Sequence, residues 1–219
     1  METGEADGRL AGRVALITGA GQGIGRGVAL AMVKRGATVG LAGRTLAKVV
    51  GVADEVRALG GRALAVGCDV GDRAQVDSAV AATVAEFGAL DILVNNAQTA
   101  VQRRIENTTD DDVVRTWRSG AVGTLYGMQA AFPHLRKCGG VVINFGSSTA
   151  VSGDPTFAAY AMAKEAIRGL SRVAAKERGR YGIRVNVVVP TALSPAALAW
   201  RDAHPERFAE HEATTPLGR

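Results

Sequence analysis

Cysteine is scarce in this sequence: Cys68 and Cys138 stand far apart, without a CxxC pair or a neighbouring histidine. That excludes a disulfide framework and a zinc site built on spaced ligands, and it leaves two buried free thiols as the expectation. His134, His204 and His211 form no metal-spaced group, so no metal is expected and the histidines take surface or capping roles. No apolar run reaches the ~18 residues that span a bilayer. The opening METGEADGRL lacks the basic-then-apolar profile of a secretory signal. The chain therefore reads as cytoplasmic, with no membrane partner. Pro, Gly and Ser never gather into a linker and no period recurs, which excludes repeats and strings of domains. The formal charge is +5, yet Lys and Arg are scattered through helical segments rather than collected in one basic run, which argues against nucleic acid as a partner.

What remains is a chain of 219 residues, 47% hydrophobic and 21% charged, enough for one globular domain with a sizeable core. Residues 1–219 are expected to form a single domain, with 1–12 a flexible N-terminus and 191–219 a lid over a substrate site. Short β-branched and aliphatic runs alternate with helical periodicity from Arg13 onward: VALIT, ATVGLAG, RALAVGC, LDILVNN, GVVINFG and IRVNVVV as strands, separated by helical stretches. One long helix is expected over 110–136 and another over 157–180. Crossover helices between continuous apolar strands imply an α/β fold, a doubly wound parallel sheet of Rossmann type, with ligands beyond the carboxyl ends of the strands.

The first strand runs into TGAGQGIG, with glycines at 19, 21, 23 and 25. Glycine permits positive φ and close backbone approach, and a helix opening near Gly23 aims free N–H groups at an anion. Gly19, Gln22, Gly23, Ile24 and Gly25 are thus candidates to hold a diphosphate. The competing reading is a turn that only tightens strand-to-helix packing. At the end of the second strand, where a carboxylate would be needed to bind the ribose hydroxyls of NAD, stands Gly43-Arg44. The Arg44 guanidinium suits the 2′-phosphate of NADP, so NADP is the expected cofactor, with NAD as the other possibility. The plain alternative is a solvated arginine opening the next helix. Late in the chain, YAMAK sets Tyr160 four residues before Lys164, on one helix face. An ammonium there would lower the phenol from its ordinary pKa of ~10 and let it exchange a proton near neutral pH, the acid/base work that hydride transfer requires. A tyrosine packed beside a solvated lysine is the alternative.

TGxxxGxG followed at a distance by YxxxK resembles the short-chain dehydrogenase/reductase family, over about Gly12 to Pro195. The resemblance implies several further assignments. Ser147, thirteen positions before Tyr160 at a strand end, would hydrogen-bond the substrate oxygen, with Ser148 serving a turn. Lys164 would also bond the nicotinamide ribose. Asp69 and Val70 would lie beside the adenine, although Asp69 also reads as a helix N-cap. Asn96 and Ala97 would line the cofactor pocket, with Gln98 replacing the family's glycine. Gly120 replaces an asparagine whose carbonyl helps hold a water, and glycine there keeps the carbonyl and allows a local kink. Pro190 and Leu193 would border the carboxamide, with Thr191 in place of glycine and Ser194 standing in for a threonine. The family continues through a further helix and strand, which this chain is expected to lack. A homodimer or homotetramer is implied, built on the helices near 110–136 and 157–180. The function so implied is an NAD(P)-dependent oxidoreductase that interconverts a carbonyl and a secondary alcohol. Trp200 and Phe208 hint at a hydrophobic small-molecule substrate. The departures at Gln98, Gly120 and Thr191 keep open a nucleotide-binding regulator or scaffold that has lost catalysis.

Overall fold

A computed structural model describes residues 8–192 and 195–213. Six strands, β1 (Val14–Thr18), β2 (Thr38–Gly43), β3 (Ala63–Gly67), β4 (Ile92–Asn95), β5 (Val141–Phe145) and β6 (Arg184–Val188), form one parallel sheet in the order β3-β2-β1-β4-β5-β6. The central strands are the continuous apolar runs: every residue of β1 and of β4 is buried. At one edge, β6 alternates between exposed and half-buried positions. This is the doubly wound arrangement that the alternation of elements implies.

Between the strands run α1 (Gly23–Val33), α2 (Leu46–Ala58), α3 (Arg73–Phe87), α4 (Asp110–Trp117), α5 (Gly123–Cys138), a short α6 (Ser148–Ser152) and α7 (Ala158–Arg178), with α8 (Pro195–Ala203) and α9 (Pro205–Ala213) after the last strand. Alternate strand residues feed two cores. Ala15, Ile17, Val39, Leu41 and Val94 pack with α1 and α2 on one face. Leu16, Leu93 and Val142 pack with Val76 and Val80 of α3, Met128 and Leu135 of α5, and Ala174 of α7 on the other.

The long helix expected over 110–136 is not continuous. A π turn, Arg118–Val122, separates α4 from α5. The physical reason lies in two glycines. A Cβ on Gly123 would come within 2.9 Å of the Val70 side chain, and one on Gly120 within 2.5 Å of the Gln98 carboxamide. Both neighbours occupy space that a side chain would need, and glycine, which leaves that space free, also weakens the regular helix at this point. Gly120 thus does sit in a local distortion of the helix. The thiols also divide: Cys68 is buried, but Cys138 is exposed in the last turn of α5, contrary to the expectation of two buried thiols.

Candidate active site

Strand order reverses between β1 and β4, and the glycine turn after β1 opens into that crevice. Thr18, the last residue of β1, ties the two strands together. Its hydroxyl accepts from the backbone N–H groups of Asn96 and Ala97, each at 3.1 Å, and donates to Val94 O at 3.3 Å. The Asn96 amide in turn donates to the carbonyls of Thr18 at 2.9 Å and Gly19 at 3.1 Å. Asn96 is therefore a strut under the turn as well as part of its wall. Nothing in the glycine pattern points to Thr18, but a threonine closing a buried apolar strand is a signal in itself, because its hydroxyl must find partners.

Gly19 turns with φ 66°, and a Cβ there would lie 2.8 Å from the Ala97 Cα. Gly25 plays a different part. It is buried, and a Cβ would lie 2.3 Å from Gly19 O, so it lets α1 close against the turn and does not form the wall expected of it. α1 begins at Gly23 with Gln22 in extended backbone, no side-chain cap and no acid in its first turn. Uncapped N–H groups at such a helix start favour an anion.

A cleft of about 420 Å³ lies over this turn. Of the residues expected to hold a cofactor, Gly19, Gln22, Gly23, Ile24 and Arg44 line one part of it, and Asp69, Val70, Asn96 and Ala97 another. Lys48 and Ser119 also line it and carry no sequence-based assignment, and Thr99, expected at the start of a substrate-pocket wall, lines it too. Lys48 is exposed and donates from Nζ to Gln22 Oε1 at 2.9 Å, beside the similarly exposed Arg44. Asp69 does not cap α3. Asp72 does, accepting from Ala74 N at 2.9 Å and Gln75 N at 3.3 Å, while the Asp69 carboxylate accepts from Gly71 N at 2.9 Å.

Gln98 and Gly120 are in contact. The Gln98 carboxamide covers Gly120, its Nε2 lies 3.5 Å from Thr116 O, and its Oε1 and the Thr116 hydroxyl are buried without a hydrogen-bond partner. A side chain at 120 and the glutamine at 98 compete for one volume, so these two sequence departures form one structural feature.

Ser147 follows the end of β5 and stands in extended backbone at the start of α6, with its hydroxyl close enough to the phenol of Tyr160 to draw its pKa down. Tyr160 and Lys164 lie one turn apart on α7. Lys164 is 4% exposed, donates from Nζ to Phe145 O at 2.8 Å and holds that nitrogen 5.5 Å from the centre of the Tyr160 ring. Burial pulls the Lys164 ammonium from 10.5 down to about 8. Burial also pushes the Tyr160 phenol above its ordinary value, and the nearby Ser147 hydroxyl offsets only part of that. The expected lowering of the phenol by Lys164 is thus reversed, because the ammonium is aimed at a backbone carbonyl and desolvation of the phenolate dominates.

Ser147, Tyr160 and Lys164 come together as a cluster at the carboxyl end of β5, outside the wall of the 420 Å³ cleft. Pro190, half-buried just beyond β6, is not in that wall either. Leu193 and Ser194 lie outside the described residues. The segment that follows β6 nevertheless returns to the glycine turn: Ala192 and Leu198 line a second hollow, of about 650 Å³, together with Gly23 and Ile24. Trp200 packs on Phe208, ring centres 6.1 Å apart. Among the described residues no cluster of potential metal ligands occurs, and no helix is long and apolar enough to cross a membrane.

Comparison with known proteins places this geometry in context. The family model for short chain dehydrogenases matches residues 13–205. A 12α-hydroxysteroid dehydrogenase from a Clostridium species is 38% identical over 95% of this chain and 83% of its own length. Among solved structures, levodione reductase superposes with a TM-score of 0.88 at 32% identity, covering 96% of this chain and 86% of that one. NAD⁺-bound xylitol dehydrogenase superposes with a TM-score of 0.81 at 30% identity, covering 83% and 71%.

Proposed function

Because the chain belongs to the short-chain dehydrogenase family, we propose that it interconverts a carbonyl and a secondary alcohol by hydride transfer, with Tyr160 as the acid/base group and NADP(H) as the preferred cofactor. The observation that carries this reading is the Ser147–Tyr160–Lys164 cluster. A phenol beside a serine hydroxyl stands one helical turn from a lysine kept out of water. A buried ammonium is costly, and a scaffold that needed only the fold would gain stability by losing it. That argues against the regulator reading.

The residues fit a dinucleotide. The positive φ of Gly19, the absence of room for any Cβ between Gly19 and Gly25, and the uncapped start of α1 suit a diphosphate pressed against the backbone. Arg44 and Lys48 share the cleft rim beside the end of β2, where Gly43 offers no carboxylate. Two cations there suit a 2′-phosphate. When bound, the cofactor supplies or takes the hydride.

The chain's own groups manage the proton. Tyr160, held protonated by burial, gives its proton to the oxygen in carbonyl reduction and takes one back in alcohol oxidation. Ser147, beside the phenol, donates a hydrogen bond to the same oxygen and fixes its distance from Tyr160. Lys164, with its pKa drawn toward about 8, is a source of protons for the phenol near neutral pH.

Apolar Ala192 and Leu198 beside the glycine turn favour a hydrophobic substrate. By the same reading the chain self-associates through α4, α5 and α7, with Val114 and Trp117 exposed on α4 and Met162 and Val173 on α7. Fluorescence titration with NADPH and NADH, followed by turnover assays on a panel of apolar ketones and alcohols, tests the proposal. Tight NADPH binding with turnover of at least one ketone is the expected outcome. Binding of neither cofactor would refute it.

A further inference from the structure

The loop between β4 and α4 is joined to the segment that precedes Tyr160 through one residue, Arg103. Its backbone N–H donates to Thr156 O at 2.8 Å, and it pairs with Phe157 in an isolated parallel bridge. Its side chain reaches the other way, with Nε 2.7 Å from Asp112 Oδ2. Asp112 is 4% exposed and is itself fixed, closing a reciprocal capping box with Thr109 at the start of α4. Across the junction Thr156 has φ 76°, and among the described residues no other non-glycine residue has positive φ. For a β-branched residue that conformation is strained and persists only where the surroundings impose it. The next residue, Phe157, meets the Tyr160 ring edge to face, with centroids 5.8 Å apart and planes at 60°.

We propose that Arg103 is a positioning residue for the reacting tyrosine: anchored on the buried carboxylate of Asp112, it holds Thr156 in its strained conformation and keeps Phe157 against Tyr160. The proposal rests on the reading of Tyr160 as the acid/base group. Four features point one way. A buried carboxylate needs a cationic partner, and Arg103 supplies it. The guanidinium is tied to a helix start, so the loop has a rigid anchor. The main-chain bond to Thr156 O acts on the very residue whose backbone is strained. The ring contact passes that restraint to the phenol, whose distance from the reacting oxygen must hold to a fraction of an ångström. Without Arg103 the Thr156 segment relaxes to an ordinary conformation and Phe157 leaves the ring.

The test reads both activity and geometry. In cofactor-free protein labelled on tyrosine, the ring signal absent from Tyr160→Phe reports on Tyr160, and the Phe157 edge displaces it by ring current. Arg103→Ala is expected to move that signal, to lower kcat about tenfold or more, and to leave the NADPH Kd within about twofold. Arg103→Lys, which can still pair with Asp112, is expected to keep most of kcat and the original signal. Should Arg103→Ala fail to fold, Arg103→Met keeps the aliphatic stem and reads the same signal. An unmoved Tyr160 signal in a folded Arg103 variant would overturn the proposal, as would a loss of kcat matched by an equal loss of NADPH affinity. Undiminished turnover by Tyr160→Phe would instead remove the underlying reading of Tyr160, whatever the signal does.

Discussion

Lys164 Nζ donates to Phe145 O at 2.8 Å while standing 5.5 Å from the centre of the Tyr160 ring. The ammonium is thus anchored on the end of β5, inside the protein, before any ligand arrives. A lysine held this way leaves a thermodynamic signature.

Its folded-state pKa of about 8 lies below the ordinary 10.5, so between those values the unfolded chain binds more protons than the native one. Stability contributed by this group therefore rises with pH across that window, and the penalty present at pH 7 is on the order of 3 kcal/mol. Lys164→Met lacks this dependence. Urea unfolding from pH 7.5 to 10 is expected to show wild type gaining stability relative to Lys164→Met as pH rises. Parallel curves for the two proteins would contradict the burial argument.

On the proposed preference for NADP(H), Arg44 and Lys48 at the cleft rim are the discriminating cations. A charge-assisted contact to phosphate is worth ~1.5–3 kcal/mol, so Arg44→Ala is expected to weaken NADPH binding by about 10- to 100-fold and NADH binding by little. Lys48→Ala, whose amine is shared with Gln22, is expected to cost less. Both effects shrink as salt is raised. Fluorescence titration of each variant at low and high salt measures them, and an unchanged NADPH-to-NADH ratio in Arg44→Ala would exclude Arg44 as the discriminating residue.

Sequence periodicity carried the sheet because both faces of a parallel sheet are covered, so its strands read as unbroken apolar runs such as VALIT and LDILVNN. The glycine turn and the one-turn spacing of Tyr160 and Lys164 were legible because both are local patterns of the chain. Other features depend on contacts between distant segments. The break at Arg118–Val122 falls where Val70 and Gln98 fill the space beside Gly123 and Gly120, and helical periodicity is blind to such contacts. The upward shift of Tyr160 depends on burial and on where Lys164 points, which spacing on a helix leaves undetermined. Lys48 and the Arg103–Asp112 pair have no motif, since a solvated face and a binding rim use the same residues.

The contact between Gln98 and Gly120 is open to a double-mutant cycle. A Cβ at 120 would lie 2.5 Å from Gln98 Nε2, the end of a flexible side chain, so Gly120→Ala is expected to cost only about 1 kcal/mol by displacing the carboxamide. In a Gln98→Ala background the same substitution is expected to cost markedly less, with a coupling of at least ~0.5 kcal/mol in thermal or urea unfolding. Additive losses would show that the two positions are independent.

Gly25→Ala meets a backbone atom instead. Its Cβ would fall 2.3 Å from Gly19 O, which cannot turn aside, so the helix start must shift away from the turn. A stability loss of ~1–3 kcal/mol is expected, along with a fall of more than tenfold in cofactor affinity as the N–H groups of α1 lose their aim. Calorimetry of the variant with NADPH checks both effects, and wild-type affinity would show that the diphosphate does not sit on this turn.

Tyr160→Phe tests the central claim most directly, because it removes one oxygen and leaves the ring against Phe157. Single-turnover reduction of a ketone accepted by the wild type should fall by at least ~100-fold, the range for loss of a positioned general acid, while the NADPH Kd stays within a few-fold. A Tyr160→Phe protein that reduces the same ketone at the wild-type rate would contradict the account.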